Sequence, residues 1–178
     1  MKVLIITGSA HRNGTTAYLT ERFIEGASEA GHKIYRFDAA FKDVHPCIGC
    51  DKCRRTESCV FQDDMNELNP QLLNADIVVF VSPIYYYDVN AQIKCVIDRF
   101  YANDEKLHSK KKAAMMLTMA DTTMESAEGA LATYKGIRNY LGWDDVGTVV
   151  CTNCWTLDML KETAFPEQAY ELGRSLLM

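Results

Sequence analysis

Short apolar runs alternate with stretches of helical periodicity from one end of this chain to the other. Continuous apolar runs are typical of strands that are covered on both faces, so residues 3–6, 33–38, 77–81, 113–118 and 146–150 are predicted to be strands. Between and after these runs, apolar residues recur at three- and four-residue spacing. This spacing predicts helices at residues 15–31, 63–73, 93–100, 127–141 and 166–177.

The strict alternation of five strands and five helices predicts an α/β fold with three layers, α/β/α. Five parallel strands in a chain of 178 residues favour the flavodoxin-like, doubly wound order 2-1-3-4-5 over a six-stranded dinucleotide fold. No linker or repeat interrupts the pattern, so residues 1–178 are expected to form one domain. A cysteine-rich insertion at about residues 45–63 would then lie between strand two and the following helix.

Composition narrows the possible functions. The chain is 48% hydrophobic and 24% charged, and its net charge of -5 makes general binding to nucleic acid or to an anionic membrane unexpected. The one basic run, residues 110–112, is typical of a solvated turn. The apolar stretch at the N-terminus is too short for a signal peptide, and nothing approaches a membrane span. An odd number of cysteines, seven, indicates a reducing compartment, so a cytoplasmic protein is expected.

The loop after strand one, residues 7–16, is crowded with hydroxyls and glycines at the start of a helix. Free backbone N–H groups and the positive helix end favour a phosphate there. Ser9, Asn13, Thr15 and Thr16 can add hydrogen bonds, and Arg12 can add charge. Neither GxxxxGK[ST] nor GxGxxG is present, so a terminal monophosphate fits better than a triphosphate or a pyrophosphate. The alternative is a polar turn with an ordinary helix cap.

Two further loops are expected at the same edge of the sheet. After strand three, Pro83 precedes three consecutive tyrosines, and at least one of their rings must project into the crevice or into a subunit contact. A flat heteroaromatic ring would suit such a platform. The loop after strand four, residues 118–122, would form a third wall.

These motifs resemble those of a known family. GSAHRNGTT after strand one, SPIYYYDVNAQIK after strand three, and the cysteines followed by Asp63-Asp64-Met65 are similar to the NADPH-dependent FMN reductase group of flavodoxin-fold proteins. Within that group they look most like the iron-sulfur flavoproteins. The resemblance implies FMN, with NAD(P)H as an electron donor, and a homodimer or homotetramer. It implies a cofactor site made of Ser9, His11, Arg12, Asn13, Gly14, Thr15 and Thr16, then Pro83, Ile84, Tyr85, Tyr86 and Tyr87, then Thr118, Met119, Ala120 and Asp121.

Four cysteines fall in PCIGCDKCRRTESC with spacing C-x2-C-x2-C-x5-C, namely Cys47, Cys50, Cys53 and Cys59. Such a compact set of thiolates suits a [4Fe-4S] cluster, and the resemblance implies the same metal site. Free or disulfide-forming thiols and a zinc site remain alternatives. A second pair, Cys151 and Cys154, has CxxC spacing, but its late position in the chain favours an inert or auxiliary role over a thioredoxin-like one.

The sequence therefore predicts an FMN-dependent oxidoreductase that passes electrons from NAD(P)H or a protein donor to a small acceptor or a redox partner. Because the flavin would supply the redox chemistry, no catalytic acid or base is assigned. One alternative is an iron-sulfur flavoprotein electron carrier that exchanges electrons with ferredoxin-like partners. Another alternative, from a different class, is a non-enzymatic binding module in which zinc stabilises the cysteine loop.

Overall fold

A parallel sheet forms the centre of the protein, in a computed structural model that describes residues 1–176. Its strands lie in the order β2-β1-β3-β5-β6. The strands are β1 (Lys2–Thr7), β2 (Lys33–Asp38), β3 (Ile77–Tyr85), β5 (Lys112–Thr118) and β6 (Asp144–Cys151), with a two-residue β4 (Asp88–Val89) that pairs only with β3. Without this short extra strand the order is the predicted 2-1-3-4-5, so the flavodoxin-like fold is confirmed.

Helices cover both faces of the sheet. The longer ones are α1 (Thr15–Glu29), α3 (Met65–Asn74), α4 (Ala91–Asp98), α6 (Glu128–Leu141) and α8 (Phe165–Arg174). Three short helices that the periodicity did not predict are α2 (Lys52–Thr56), α5 (Asp104–Leu107) and α7 (Leu157–Lys161). Helices α1 and α8 pack against each other on one face, while α3, α4 and α6 contribute to the core on the other.

The central strands are buried on both sides, which is why their sequences are continuously apolar. On β3, Val78 and Phe80 face the α3, α4 and α6 layer, whereas Val79 and Val81 face the α1 and α8 layer, and all four are at most 1% exposed. Alternating side chains of one strand thus enter two separate cores. The sheet edge that carries the loops after β1, β3 and β5 is held in place from both sides.

Strand β3 is longer than predicted and turns back on itself. It continues through Pro83 to Tyr85, and a two-residue turn at Tyr86 and Tyr87 leads into β4. Both turn residues have left-handed backbone angles, with φ of 47° and 68°. This is the geometry of a tight hairpin turn that usually contains Asn or Gly, and side chains as large as tyrosine adopt it at a cost of about 1 kcal/mol or more each.

Two helix ends and one turn differ from the sequence predictions. The helix predicted through Phe100 ends at Asp98, and residues Arg99–Asn103 form a tighter 3-10 turn. The last helix ends at Arg174, and its predicted end at Leu177 lies outside the described residues. In the basic run predicted to be solvated, Lys111 is buried and donates to the carbonyl oxygens of Leu73 and Ala75 at 2.8 and 2.7 Å. Lys111 thereby satisfies orphan carbonyls at the end of α3.

Within residues 1–176, the structure contains no helix with the length and apolar character needed to span a membrane. The proposed single domain over residues 1–178 stays a prediction.

Candidate cofactor cleft and cysteine cavity

The start of α1 leaves backbone N–H groups free for a ligand. Gly14, the residue that precedes the helix, has an extended backbone, and no side chain caps the helix N-terminus. The first turn carries no acidic residue. The N–H groups and the positive end of the helix dipole of this 15-residue helix are therefore unopposed, which favours an anion.

A buried hydrogen-bonded cluster fixes the loop that precedes α1. Asn90 Nδ2 donates to the Gly8 carbonyl oxygen at 2.5 Å, and the Asn90 N–H donates to Ser82 Oγ at 3.0 Å. The Gly8 N–H donates to the Val81 carbonyl oxygen at 2.9 Å. Gly8 approaches Asn90 so closely that a Cβ on Gly8 would lie 2.0 Å from Asn90 Oδ1. The close approach requires glycine at position 8 and joins the first loop rigidly to the end of β3.

Two hydroxyls connect α1 to the third loop. Thr16 Oγ1 and Thr118 Oγ1 share a buried hydrogen bond of 2.7 Å, although 102 residues separate them in the sequence. Thr118 also lies beside Pro83 in the register of β3 and β5. The ends of β1, β3 and β5 therefore meet at one place, as parallel strands require.

A fourth loop, which the sequence pattern did not assign to the site, completes the cleft. The Met119 N–H donates to the Cys151 carbonyl oxygen at 2.9 Å, and the Cys154 N–H donates back to Met119 O at 2.8 Å. These bonds align the loop after β6 with the loop after β5. They place Trp155, whose exposure is 78%, at the wall of the cleft. The sequence signal that could have indicated this loop is a tryptophan placed just after a parallel strand, at the edge where ligands bind.

Together these loops line an open cleft of about 310 Å³. Cys154 and Trp155, which were not predicted, contribute to its lining. The predicted cofactor residues that line it are Ser9, His11, Gly14, Thr15, Thr16, Pro83, Ile84, Tyr85, Thr118, Met119 and Ala120. The other predicted residues, Arg12, Asn13, Tyr86, Tyr87 and Asp121, lie outside this lining. The cleft combines a helix N-terminus with apolar and aromatic walls.

Arg12 lies beside the cleft rather than in it. Its guanidinium stacks on the ring of Phe41, with Cζ 3.6 Å from the ring centroid. Both residues line a neighbouring cavity of about 210 Å³, which shares Ser9 and His11 with the cleft and is also lined by Arg36. Arg12 therefore contributes positive charge near the start of α1 while a cation–π contact holds its side chain.

Tyr86 and Asp121 have other surroundings. Tyr86 is fully exposed at the tip of the hairpin, and its neighbour Tyr87 is 66% exposed. Asp121 organises its own loop, because Ser126 Oγ and the N–H groups of Thr122 and Thr123 donate to its carboxylate. These hydrogen bonds lower the pKa of Asp121, so the carboxylate is charged.

The four clustered cysteines surround a second cavity. Cys47, Cys50, Cys53 and Cys59 all line one small pocket between the cysteine segment (residues 45–63) and the end of α4. All four are free thiols. Among residues 1–176 no three His, Cys, Asp or Glu side chains converge closely enough to hold a single metal ion. Four thiols around a shared cavity are the donor set that a cubane cluster takes, since its irons are ligated separately at the corners.

A buried ion pair anchors the cysteine segment to the domain. Arg99 Nη1 donates to Asp63 Oδ2 at 2.6 Å, and Nη2 donates to Oδ1 at 3.1 Å. The two side chains are 3% and 1% exposed. Burial by itself would raise the pKa of Asp63, but hydrogen bonds from Arg99 and from the His45 N–H lower it. The sequence pattern did not reveal this pair because Arg99 lies next to an apolar helical stripe, 36 residues from Asp63.

The second cysteine pair is in a different state. Cys151 and Cys154 are both buried, and burial raises the pKa of each thiol. Cys154 Sγ donates to the Thr152 carbonyl oxygen at 3.1 Å. Both thiols are therefore protonated and poorly nucleophilic, as the predicted inert or auxiliary role requires.

Comparison with known proteins agrees with this geometry. An iron-sulfur flavoprotein from Methanocaldococcus jannaschii is 34% identical over 99 residues, which cover 56% of this chain and 51% of that protein. One from Methanosarcina thermophila is 26% identical over 139 residues, covering 78% of this chain and 65% of the relative. The chain spans about half the length of the first curated relatives it matches.

Solved structures with the same fold include an NAD(P)H:quinone oxidoreductase from Methanothermobacter marburgensis. It is 20% identical, with a TM-score of 0.79 over 100% of this chain and 96% of that one. An azoreductase from Bacillus anthracis is 17% identical, with a TM-score of 0.75 over 99% and 100% of the two chains. At this identity they show the fold alone. Residues 1–158, however, match the model of one family, and the chain belongs to the NADPH-dependent FMN reductase family.

Proposed function

We propose that the cleft binds FMN and that the protein is an FMN-dependent oxidoreductase. The observation that carries this proposal is the junction of an uncapped helix N-terminus with an aromatic-walled cleft of about 310 Å³. FMN has a terminal phosphate that suits the helix N-terminus and a flat ring system that suits the aromatic walls. Family membership and the names of the relatives support the same cofactor.

The residues of the cleft have distinct proposed roles. The N–H groups of Thr15 and Thr16, with the hydroxyls of Ser9 and Thr16, would hold the phosphate. Arg12 would attract it through charge from the neighbouring cavity. Apolar backbone and side chains at Pro83 to Tyr85 and Thr118 to Ala120, with Trp155, would position the ring and exclude water from its edge.

FMN supplies hydride and single-electron transfer when it is bound. The protein would then pass electrons from NAD(P)H or a protein donor to a small acceptor or a redox partner. We assign no catalytic acid or base to the chain, because the flavin would supply this chemistry. An expected homodimer or homotetramer remains a prediction, and the exposed Tyr86 and Tyr87 are the surface on which that assembly would be tested.

We also propose that Cys47, Cys50, Cys53 and Cys59 hold a [4Fe-4S] cluster, which supplies single-electron transfer. Their common cavity and their free thiols support this assignment. So do the iron-sulfur flavoproteins among the relatives.

The first test is an absorption spectrum with iron, sulfide and zinc analysis on protein purified without oxygen and supplemented with FMN. Flavin bands with a broad brown absorption and about four irons per chain are expected. Protein that retains no flavin would contradict the proposed function. Flavin without iron would leave the four cysteines as thiols, and a colourless preparation with stoichiometric zinc would identify a zinc-stapled binding module.

A second candidate function keeps both cofactors but makes the protein an electron carrier. The cysteine cavity favours it, because a cluster at the surface could exchange electrons with ferredoxin-like partners, and Cys47 and Cys50 are exposed. Stopped-flow reduction distinguishes the two functions. Rapid bleaching of flavin by NADPH or NADH is expected for the oxidoreductase, whereas a carrier would be reduced only by a protein partner.

A further inference from the structure

One donor atom beside the cysteine cavity has no partner. Arg99 Nη1 donates to the His45 carbonyl oxygen at 2.8 Å and, with Nη2, to Asp63. Its Nε is buried and makes no hydrogen bond to any residue in the described range 1–176. Arg99 itself lines the cavity that the four cysteines share.

A buried N–H without an acceptor is unfavourable, and a charged one more so, which makes such atoms rare in folded proteins. Arg99 is held by three bonds on its outer fork and by Phe61, whose ring centroid lies 5.3 Å from its Cζ. These contacts prevent the side chain from turning Nε toward solvent. The cysteine sulfurs line the same cavity as the guanidinium, and sulfur bound to iron accepts hydrogen bonds.

The charge distribution around Arg99 agrees with this orientation. Burial by itself would lower the pKa of the guanidinium, but the hydrogen bonds and the charge of Asp63 raise it, and thiolate charge at Cys59 and Cys47 would raise it further. Charge at these two cysteines would therefore stabilise the cation through space. Asp63 neutralises much of the long-range charge of the Arg99 guanidinium. A directed hydrogen bond would therefore affect the sulfur atoms in the cavity more than this charge would.

We propose that Arg99 is a positioning residue that would donate an Nε–H hydrogen bond to a sulfur atom in the cysteine cavity and raise the reduction potential of the proposed cluster. The inference rests on the proposed cluster at the four cysteines. A hydrogen bond to sulfur stabilises the more negative, reduced cluster over the oxidised one. The ion pair with Asp63 fixes the direction of the donor.

The variant Arg99→Lys tests the proposal, because lysine can keep the ion pair with Asp63 but has no Nε–H at this position. The matched control is Arg54→Lys, since Arg54 lies in the same segment with its side chain 66% exposed. Midpoint potentials of the cluster are measured by redox titration followed by electron paramagnetic resonance. We expect Arg99→Lys to reduce the ratio of reduced to oxidised cluster about tenfold at a fixed ambient potential, which is about 59 mV for one electron. Arg54→Lys should leave the potential unchanged.

A second measurement uses the unaltered protein and does not depend on how a variant folds. Protein labelled with 15N only in arginine is reduced without oxygen, and pulsed resonance is used to detect nitrogen coupled to the cluster spin. A 15N coupling is expected in this unaltered protein, and where Arg99→Lys folds and assembles the cluster, it should lose that coupling. Iron at full content with no such coupling, or with an unchanged potential in Arg99→Lys, overturns the role of Arg99 alone. Protein that assembles no cluster overturns this inference together with the cluster assignment.

Discussion

Replacing Gly8 with alanine places a methyl group where the structure has no room for one. The new Cβ would lie 2.0 Å from Asn90 Oδ1 and 2.9 Å from Ile93 Cβ. Both neighbours are buried, at 1% and 0% exposure. Because neither can turn into solvent, the Asn90 side chain must move, and the hydrogen bonds that it donates to Gly8 O and accepts from Ser82 Oγ are lost or distorted.

The structure sets the size of the effect. Forcing one extra methyl into a packed interior costs about 1–3 kcal/mol. Each buried hydrogen bond that is broken adds about 1 kcal/mol. We therefore expect Gly8→Ala to lower the free energy of unfolding by about 3 kcal/mol. Because Asn90 fixes the loop that precedes α1, FMN affinity should also fall at least about tenfold, which corresponds to about 1.4 kcal/mol.

Urea unfolding of the apoprotein and FMN titration measure the two quantities. Gly136→Ala is the matched control, since Gly136 lies in α6 and a Cβ added there would meet no atom within 4 Å. There the same substitution should stabilise the protein, by up to about 1 kcal/mol, because alanine favours a helix. In Gly8→Ala/Asn90→Ala the two losses should be less than additive. Wild-type stability and FMN affinity in Gly8→Ala would refute the reasoning.

Three further predictions concern other parts of the molecule. The pKa of Asp63 is lowered on folding, so its charged form stabilises the protein above a pH of about 3.8 and this contribution disappears as the pH falls through the folded value. Asp63→Asn should therefore be about 3–5 kcal/mol less stable near neutral pH, and its urea midpoint should change less between about pH 5 and pH 2. In iron-free protein, a thiol reagent should modify the exposed thiols of the cysteine segment first, and Cys151 and Cys154 only on unfolding, as mass spectrometry of digests can show. FMN should quench the fluorescence of Trp155 but not of the buried Trp143, so Trp143→Phe keeps the quenching and Trp155→Phe loses it. Equal quenching in both variants would contradict the placement of Trp155 at the wall of the cleft.

The fold and most of the cleft could be predicted because they depend on periodicity and on one topological rule. The carboxyl ends of adjacent parallel strands must meet, so the loops after β1, β3 and β5 had to share an edge. Spacing alone did not show which side chains of a loop enter the cleft. Arg12 leaves it because Phe41, in a turn after β2, offers a ring on which to stack.

Long-range contacts account for the remaining omissions. Trp155 reaches the cleft because backbone hydrogen bonds join Met119 to Cys151 and Cys154, and Asn153 adopts a left-handed conformation at a φ of 54°. Neither feature has a local pattern that predicts it. In the sequence, Arg99 is a single charged position at the end of a helix. Its burial becomes evident only in the structure, where Asp63 pairs with it.

The ion pair between Arg99 and Asp63 also has a consequence for how the protein matures. It joins the cysteine segment to the end of α4 through a carboxylate and a guanidinium, with no thiol taking part. A zinc finger, by contrast, folds only when its metal arrives. Because contacts between protein groups bring the four cysteines to one pocket, insertion of the proposed cluster would be a late step on an already folded domain, with folding first and metallation second.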